Sequence, residues 1–251
     1  MGDFPQPARL DPALVARVAA RYAAEGRFAR GFVAGKLRRD PASAAILHAA
    51  GAEGFGSVVD LGCGRGQLAV ALLLAGAASA VTGIEAAPTQ AAQAARAGAG
   101  LPLRVIRRDL AADPSVPAAD TVLIVDVLYQ LATTAQLALL RAAAAAARHR
   151  VLIRALDPGA GARAALTLGW ERLSRRLSPH AGAVVNPRPP AEAAAILRDA
   201  GFAVTLAPCH AGTPFANVLI TASRPAAPSP PAAPGCCPRA RPGTRHNPPA
   251  P

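Results

Sequence analysis

Apolar positions in this chain repeat with a helical period in some segments and form short unbroken runs in others. From about Pro12 to Gly26, Leu14, Val15, Val18, Ala19 and Tyr22 fall on one helical face, with Arg17 and Arg21 on another. Asp40-Pro41 reads as a helix start, an N-cap acid followed by proline at the first helical position. Strands are then expected at Ser57–Leu61, Ala80–Glu85, Leu103–Ile106, Thr121–Asp126 and Val151–Ala155. Between them lie predicted helices at Gln67–Leu74, Thr89–Ala97 and Thr134–Arg148, and a further helix at Ala191–Ala200 is closed by Gly201. Two last strands, near Phe202–Leu206 and Asn217–Ala222, have no helix between them. The alternation predicts an α/β chain with a seven-stranded, mostly parallel sheet and helices on both faces. The final pair should add an antiparallel hairpin at one edge.

A chain of 251 residues suggests one full domain with appendages. The expected division is an N-terminal helical cap over 1–56, a main domain over 57–224 and a disordered Pro/Ala/Arg-rich tail over 225–251. The stretch 157–190 is long for a strand-to-helix connection and should carry structure of its own, as a lid. Within it Thr167–Leu177 reads as an amphipathic helix, with Leu168, Trp170, Leu173 and Leu177 against Arg172, Arg175 and Arg176. Trp170 suits either an acceptor-pocket wall or core packing. The uncharged run Leu68–Ile84 is interrupted by Gly76, Ser79, Thr82 and Gly83, and divides into helix, turn and strand rather than a membrane span. Asp3, Pro5, Pro7 and Arg9 stand where a signal peptide would need an apolar core.

Hydrophobic residues make up 52% of the chain and aromatic ones only 4%, so the core must be built from Ala, Val and Leu. The formal charge of +12 invites a nucleic-acid reading. Lys36 is the sole lysine, however, and no dense basic run interleaves with aromatics, so compositional bias explains the excess better. Cys63, Cys209, Cys236 and Cys237 form no C-x-x-C pair and have no His at metal-ligand spacing. No metal is expected, and reduced thiols in a cytoplasmic protein are the default.

The run Val58-Val59-Asp60-Leu61-Gly62-Cys63-Gly64-Arg65-Gly66-Gln67 carries the chemistry. A short strand ends in an acid, glycines follow at alternate positions, and a helix begins. Such glycines let a ligand approach backbone N–H groups, and the helix N-terminus offers unpaired amides. A dinucleotide fingerprint would want G-x-G-x-x-G, but Gly66 falls one residue early. In open parallel sheets ligands bind beyond the carboxyl ends of the strands. Asp60, Glu85, Asp109 and Asp126 all stand there, one at or just after each of the first four strands.

From about Ser57 to Arg224 the chain resembles class I S-adenosylmethionine-dependent methyltransferases. The match rests on D-L-G-C-G-R-G after the first strand, G-I-E after the second, R-R-D-L after the third and I-V-D-V-L after the fourth. The resemblance implies a Rossmann-like fold with S-adenosylmethionine as cofactor. It implies that Asp60 and the backbone of Gly62, Cys63, Gly64 and Gly66 hold the methionine end. Glu85, followed by Ala86, would take the ribose hydroxyls, and Asp109 with Leu110 the adenine. Asp126 and Val127 would lie near the sulfonium. The flanks Gly26-Arg27-Phe28, Gly35-Lys36-Leu37-Arg38-Arg39-Asp40-Pro41 and Asp126-Val127-Leu128-Tyr129 resemble a bacterial subgroup of small methyltransferases associated with lipid-like or polyene biosynthesis. That subgroup usually has His at the position of Tyr129 and often Tyr at that of Gln130.

Candidates for a proton-accepting role are Tyr129, His180 and His48, each with an ordinary alternative as a pocket wall or helix-surface residue. A small-molecule acceptor methylated by in-line displacement is the favoured function. An RNA or protein methyltransferase is weakened by the absence of an Asn/Asp-Pro-Pro-Tyr/Phe motif after the fourth strand. A non-catalytic module that binds the same cofactor is the third alternative. Oligomeric state leaves no mark in the sequence.

Overall fold

The computed structural model describes residues 9–176 and 185–225. Among them a single seven-stranded sheet runs in the order β3-β2-β1-β4-β5-β7-β6. The strands are β1 (Ser57–Leu61), β2 (Ala80–Glu85), β3 (Leu103–Arg107), β4 (Ala119–Val125), β5 (Ala147–Leu156), β6 (Ala203–Pro208) and β7 (Asn217–Ser223). The first five are parallel, and β7 inserts antiparallel between β5 and the edge strand β6. The expected architecture, antiparallel edge pair included, is therefore the observed one. Strand order reverses between β1 and β4, so the crevice of the sheet opens beside Asp60 and Asp126.

The period-2 geometry of the strands divides the core. Leu61, Ile84, Ile124 and Ile153 pack on one face, under α6 (Thr133–Ala146) and α8 (Pro190–Asp199). Val58, Val81, Leu123 and Leu152 face the other way, toward α3 (Pro41–Ala50) and α4 (Gln67–Leu74). α5 (Pro88–Ala97) lies against β2 and β3. Predicted and observed bounds agree for β1, β2 and α4. β5 begins at Ala147, directly after α6, where the sequence pattern carries the helix to Arg148. Pairing of Ala147 with Ala119 of β4 takes those residues into the sheet.

The N-terminal helices are α1 (Pro12–Ala20), α2 (Gly26–Arg39) and α3. Asp11 and Asp40 cap α1 and α3 through Oδ1, each ahead of a proline. Residues 26–39 give no element from pattern alone, because Gly31 and Gly35, inside the segment, each disfavour helix by about 1 kcal/mol. Tertiary burial overrides this: Ala29, Val33, Ala34 and Leu37 of α2 are buried, and Val33, Ala34 and Leu37 share one cluster with Val15 and Val18 of α1 and with Val70 and Ala71 of α4.

After β5, α7 (Ala162–Arg176) lies within the stretch expected to be a lid. Its buried positions are Ala164 and Thr167. Leu168 is half-buried, while Leu166 and Trp170 are exposed. His180, Leu177, Cys236, Cys237 and the tail fall outside the described residues.

Candidate functional site

The glycine loop leaves β1 through three left-handed residues, with φ of 74° at Gly62, 56° at Gly64 and 79° at Gly66. Two consecutive amides, Gly62 N–H and Cys63 N–H, donate to the Ile84 carbonyl at 2.7 and 3.0 Å and tie the loop to the end of β2. A Cβ at position 62 would stand 2.3 Å from Val127 Cγ2, so the loop approaches the β4 turn as closely as the absence of a side chain permits. Gly64 N–H donates to Glu85 Oε2 at 2.9 Å, and Ala87 N–H donates to Glu85 Oε1 at 2.8 Å. Glu85 is thereby oriented by backbone alone, and each oxygen keeps a lone pair for a further donor.

A cleft of about 760 Å³ opens over this loop. Asp60, Gly62, Cys63, Gly64, Glu85 and Ala86 line it on the β1–β2 side, and Asp109, Leu110, Asp126 and Val127 on the other. Of the residues expected at a cofactor, only Gly66 is not brought to the cleft. It starts α4, and a Cβ there would meet Ala94 of α5 at 2.8 Å, so its task is helix packing.

Asp60 is almost fully buried, and burial first, then the nearby Glu85, pushes its carboxyl up to about 7, against an opposing pull from Lys36. Burial raises the Cys63 thiol well above its ordinary range, which leaves it a small filler rather than a nucleophile. Asp109 accepts from Ala111 N–H through Oδ1 at 2.9 Å, and Leu110 is buried beside it. Gln67 Oε1, at the start of α4, is buried against the cleft without a partner. An unpaired acceptor and a carboxyl short of a cation are what S-adenosylmethionine, with its ammonium and hydroxyl donors, would satisfy. The residues present fit that group.

The loop is held from outside as well. Tyr22, at the end of α1, donates its hydroxyl to the Arg65 carbonyl at 2.6 Å and is fully buried. Arg65 in turn lies over the Phe32 ring of α2, 5.2 Å from its centroid, and donates to Gln93 Oε1 at 2.6 Å.

A second cavity, of about 520 Å³, adjoins the cleft. Phe32, Tyr129, Trp170 and Phe215 supply its aromatic wall. Lys36, Asp40 and Asp126 line both spaces and mark where they meet. Asp126 has φ of 60°, unusual for a residue with a side chain, and this turns its carboxylate into the junction. There Arg154 Nη1, from near the C-terminal end of β5, donates to Asp126 Oδ2 at 2.9 Å and to Asp40 Oδ2 at 2.8 Å. Lys36 Nζ approaches the same Asp126 oxygen at 3.8 Å. Burial opposes the charge on Arg154, but Asp126 and Asp40 more than offset it and hold the guanidinium firmly protonated.

Tyr129 is buried and lines the second cavity, away from the cleft. His48 is exposed on α3 and lines neither space. Sequence reasoning missed Lys36, Asp40, Arg154 and Gln67 as site residues. A visible signal existed for Arg154, a lone charge inside the apolar run Val151-Leu152-Ile153-Arg154-Ala155-Leu156. Asp40 was read as a cap only, and it serves as both cap and ion-pair partner.

Residues 58–150 match the family model of a methyltransferase domain. No curated protein matches the chain. Among solved structures it is similar to magnesium protoporphyrin IX methyltransferase (ChlM) from Synechocystis PCC 6803 with bound SAH, at 22% identity and a TM-score of 0.55, over 89% of this chain and 90% of that one. It is similar to the S-adenosylmethionine-dependent methyltransferase SibL in its apo form, at 27% identity and a TM-score of 0.59, over 84% of this chain and 62% of SibL. A putative methyltransferase in complex with the Trm112 activator of Haloferax volcanii matches at 18% identity and a TM-score of 0.57, over 83% and 97%. The first and third of these establish a shared fold.

Proposed function

We propose that this S-adenosylmethionine-dependent methyltransferase moves the methyl group to a small-molecule acceptor seated in the 520 Å³ cavity. The observation that carries the reading is the junction, where Lys36, Asp40 and Asp126 line the cofactor cleft and the second cavity together. When bound, S-adenosylmethionine supplies a methyl group already activated on a sulfonium, so the chain's work is to bind, align and exclude water. Asp60 takes the cationic amino end, and Glu85 receives the ribose hydroxyls on the lone pairs left open by Gly64 and Ala87. Asp109 and Leu110 accommodate the adenine. Asp126, fixed by Arg154, and Lys36 set the acceptor's nucleophile in line with the methyl group. Tyr129 and Trp170 wall the acceptor side.

The acceptor space combines aromatic side chains, Phe32, Tyr129, Trp170 and Phe215, with charged ones, Lys36, Arg39, Asp40, Asp126, Arg154 and Glu171, which suits an amphiphilic molecule. This agrees with the sequence resemblance to methyltransferases of lipid-like and polyene biosynthesis. Two measurements test the reading. Calorimetric titration with S-adenosylmethionine should show strong losses for Asp60→Ala and Glu85→Ala, and wild-type affinity in both would overturn the cofactor assignment. Labelled methyl should pass into organic extracts of small molecules and not into total RNA; labelling of RNA would overturn the acceptor class.

A further inference from the structure

The rim of the acceptor cavity combines three properties. First, it carries four of the five large apolar side chains left exposed among the described residues. Phe28 and Phe32 of α2 are 80% and 45% exposed, and Leu166 and Trp170 of α7 are 52% and 57% exposed. Each pair is spaced i, i+4 and shares a helix face, and Phe32 and Trp170 both line the cavity, so the two apolar faces converge at its mouth. Second, the flanks are basic. α2 carries Arg27, Arg30, Lys36, Arg38 and Arg39 with no acid, and the only acid in α7 is Glu171. Third, the mouth is open on the α2 side, because a Cβ at Gly31 or Gly35 would meet nothing within 4 Å and both residues line the cavity.

A face with Trp, Phe and Leu at its apolar centre and Arg around it has the composition of a helix surface that settles into an anionic membrane interface. We propose that the α2–α7 rim docks on an anionic lipid surface and admits an amphiphilic acceptor from it. The exposed apolar side chains of the rim select this occupant over an acidic carrier protein. A carrier-tethered acceptor would need only charge from the rim, whereas four exposed apolar side chains, Phe28, Phe32, Leu166 and Trp170, stand there beside the charged Arg39 and Glu171 that also line the cavity. The docking is peripheral, since no described helix is long and apolar enough to cross a membrane. The admission of acceptor rests on the methyltransferase reading of the cavity; the docking itself does not.

Trp170 is the chain's single tryptophan, so its emission reports on the rim alone. The full-length protein is mixed with phosphatidylcholine vesicles with and without phosphatidylglycerol, and emission and co-sedimentation are recorded. The expected result is a shift to shorter wavelength with the anionic vesicles only, reversed by salt. Phe28→Ser should lower the partition coefficient by about tenfold, the loss expected when one phenylalanine no longer inserts. Arg27→Glu with Arg30→Glu should abolish the shift. Both variants should keep wild-type affinity for S-adenosylmethionine, which separates a docking failure from a cofactor-site failure. Arg239, Arg241 and Arg245 would also attract anionic vesicles, so sedimentation without a Trp170 shift overturns the proposal. A shift given only by an acidic acyl carrier protein, or by raising protein concentration without vesicles, overturns it as well.

Discussion

Arg154 donates to Asp126 Oδ2 at 2.9 Å, and this contact joins the C-terminal end of β5 to the left-handed turn that ends β4. The same nitrogen reaches Asp40, so one guanidinium fixes the N-cap of α3 and the floor of the second cavity together. Removing it would strand two carboxylates in a space with little water.

Arg154→Leu should therefore cost about 3–5 kcal/mol of stability, the usual penalty for breaking a buried pair. Chemical denaturation of the purified variant measures this. A change under about 1 kcal/mol would show that Asp40 and Asp126 are adequately solvated without their partner.

With Asp60 at the amino end of the cofactor, as proposed, affinity should depend on pH. Burial pushes its carboxyl up to about 7, and only the ionised form attracts a cationic amino group. Binding should weaken as pH falls below about 7, approaching tenfold per unit, with proton release detected by calorimetry in buffers of different ionisation enthalpy. Stability of the free protein runs the opposite way. A folded-state pKa raised above the unfolded value of about 4 favours the fold at low pH, and this contribution is lost as pH rises through about 7. Asp60→Asn should remove that loss while sharply reducing affinity for S-adenosylmethionine.

Tyr22→Phe removes the donor to the Arg65 carbonyl and nothing else. Loss of one buried hydrogen bond should cost about 1–3 kcal/mol, and the freed glycine loop should bind S-adenosylmethionine several-fold more weakly. Unchanged affinity at unchanged stability would mean that the loop holds its shape without α1.

Trp170→Ala should raise the acceptor KM and leave the affinity for S-adenosylmethionine unaltered, because Trp170 lines only the acceptor cavity. A matching loss of cofactor affinity would place its role in folding instead. Truncation after residue 225 should likewise leave cofactor affinity unchanged, as measured by the same titration.

The alternation of strand and helix was legible because the strands are apolar runs of five to seven residues, apart from the ten-residue β5, bounded by glycine and acids. The four acids after β1 to β4 were legible because topology, rather than side-chain detail, brings strand ends together. α2 was not, because its two internal glycines oppose helix locally and only the burial of Ala29, Val33 and Leu37 against neighbours distant in sequence decides the matter. That Gly66 does not line the cleft was not legible for a related reason: spacing alone cannot separate a glycine that faces a ligand from one that lets Ala94 approach. The network of Arg154, Asp40 and Asp126 joins residues 28 to 114 positions apart, and no local pattern records such a meeting.

Val127 fills the place that a side chain at position 62 would occupy. The two positions are therefore not free to vary independently. A methyl group added at 62 demands a smaller residue at 127, and must still accept a backbone angle that suits glycine. Part of what reads as a ligand fingerprint is thus a steric contract between two strand ends, and it would persist in a descendant of this chain that had lost its cofactor altogether.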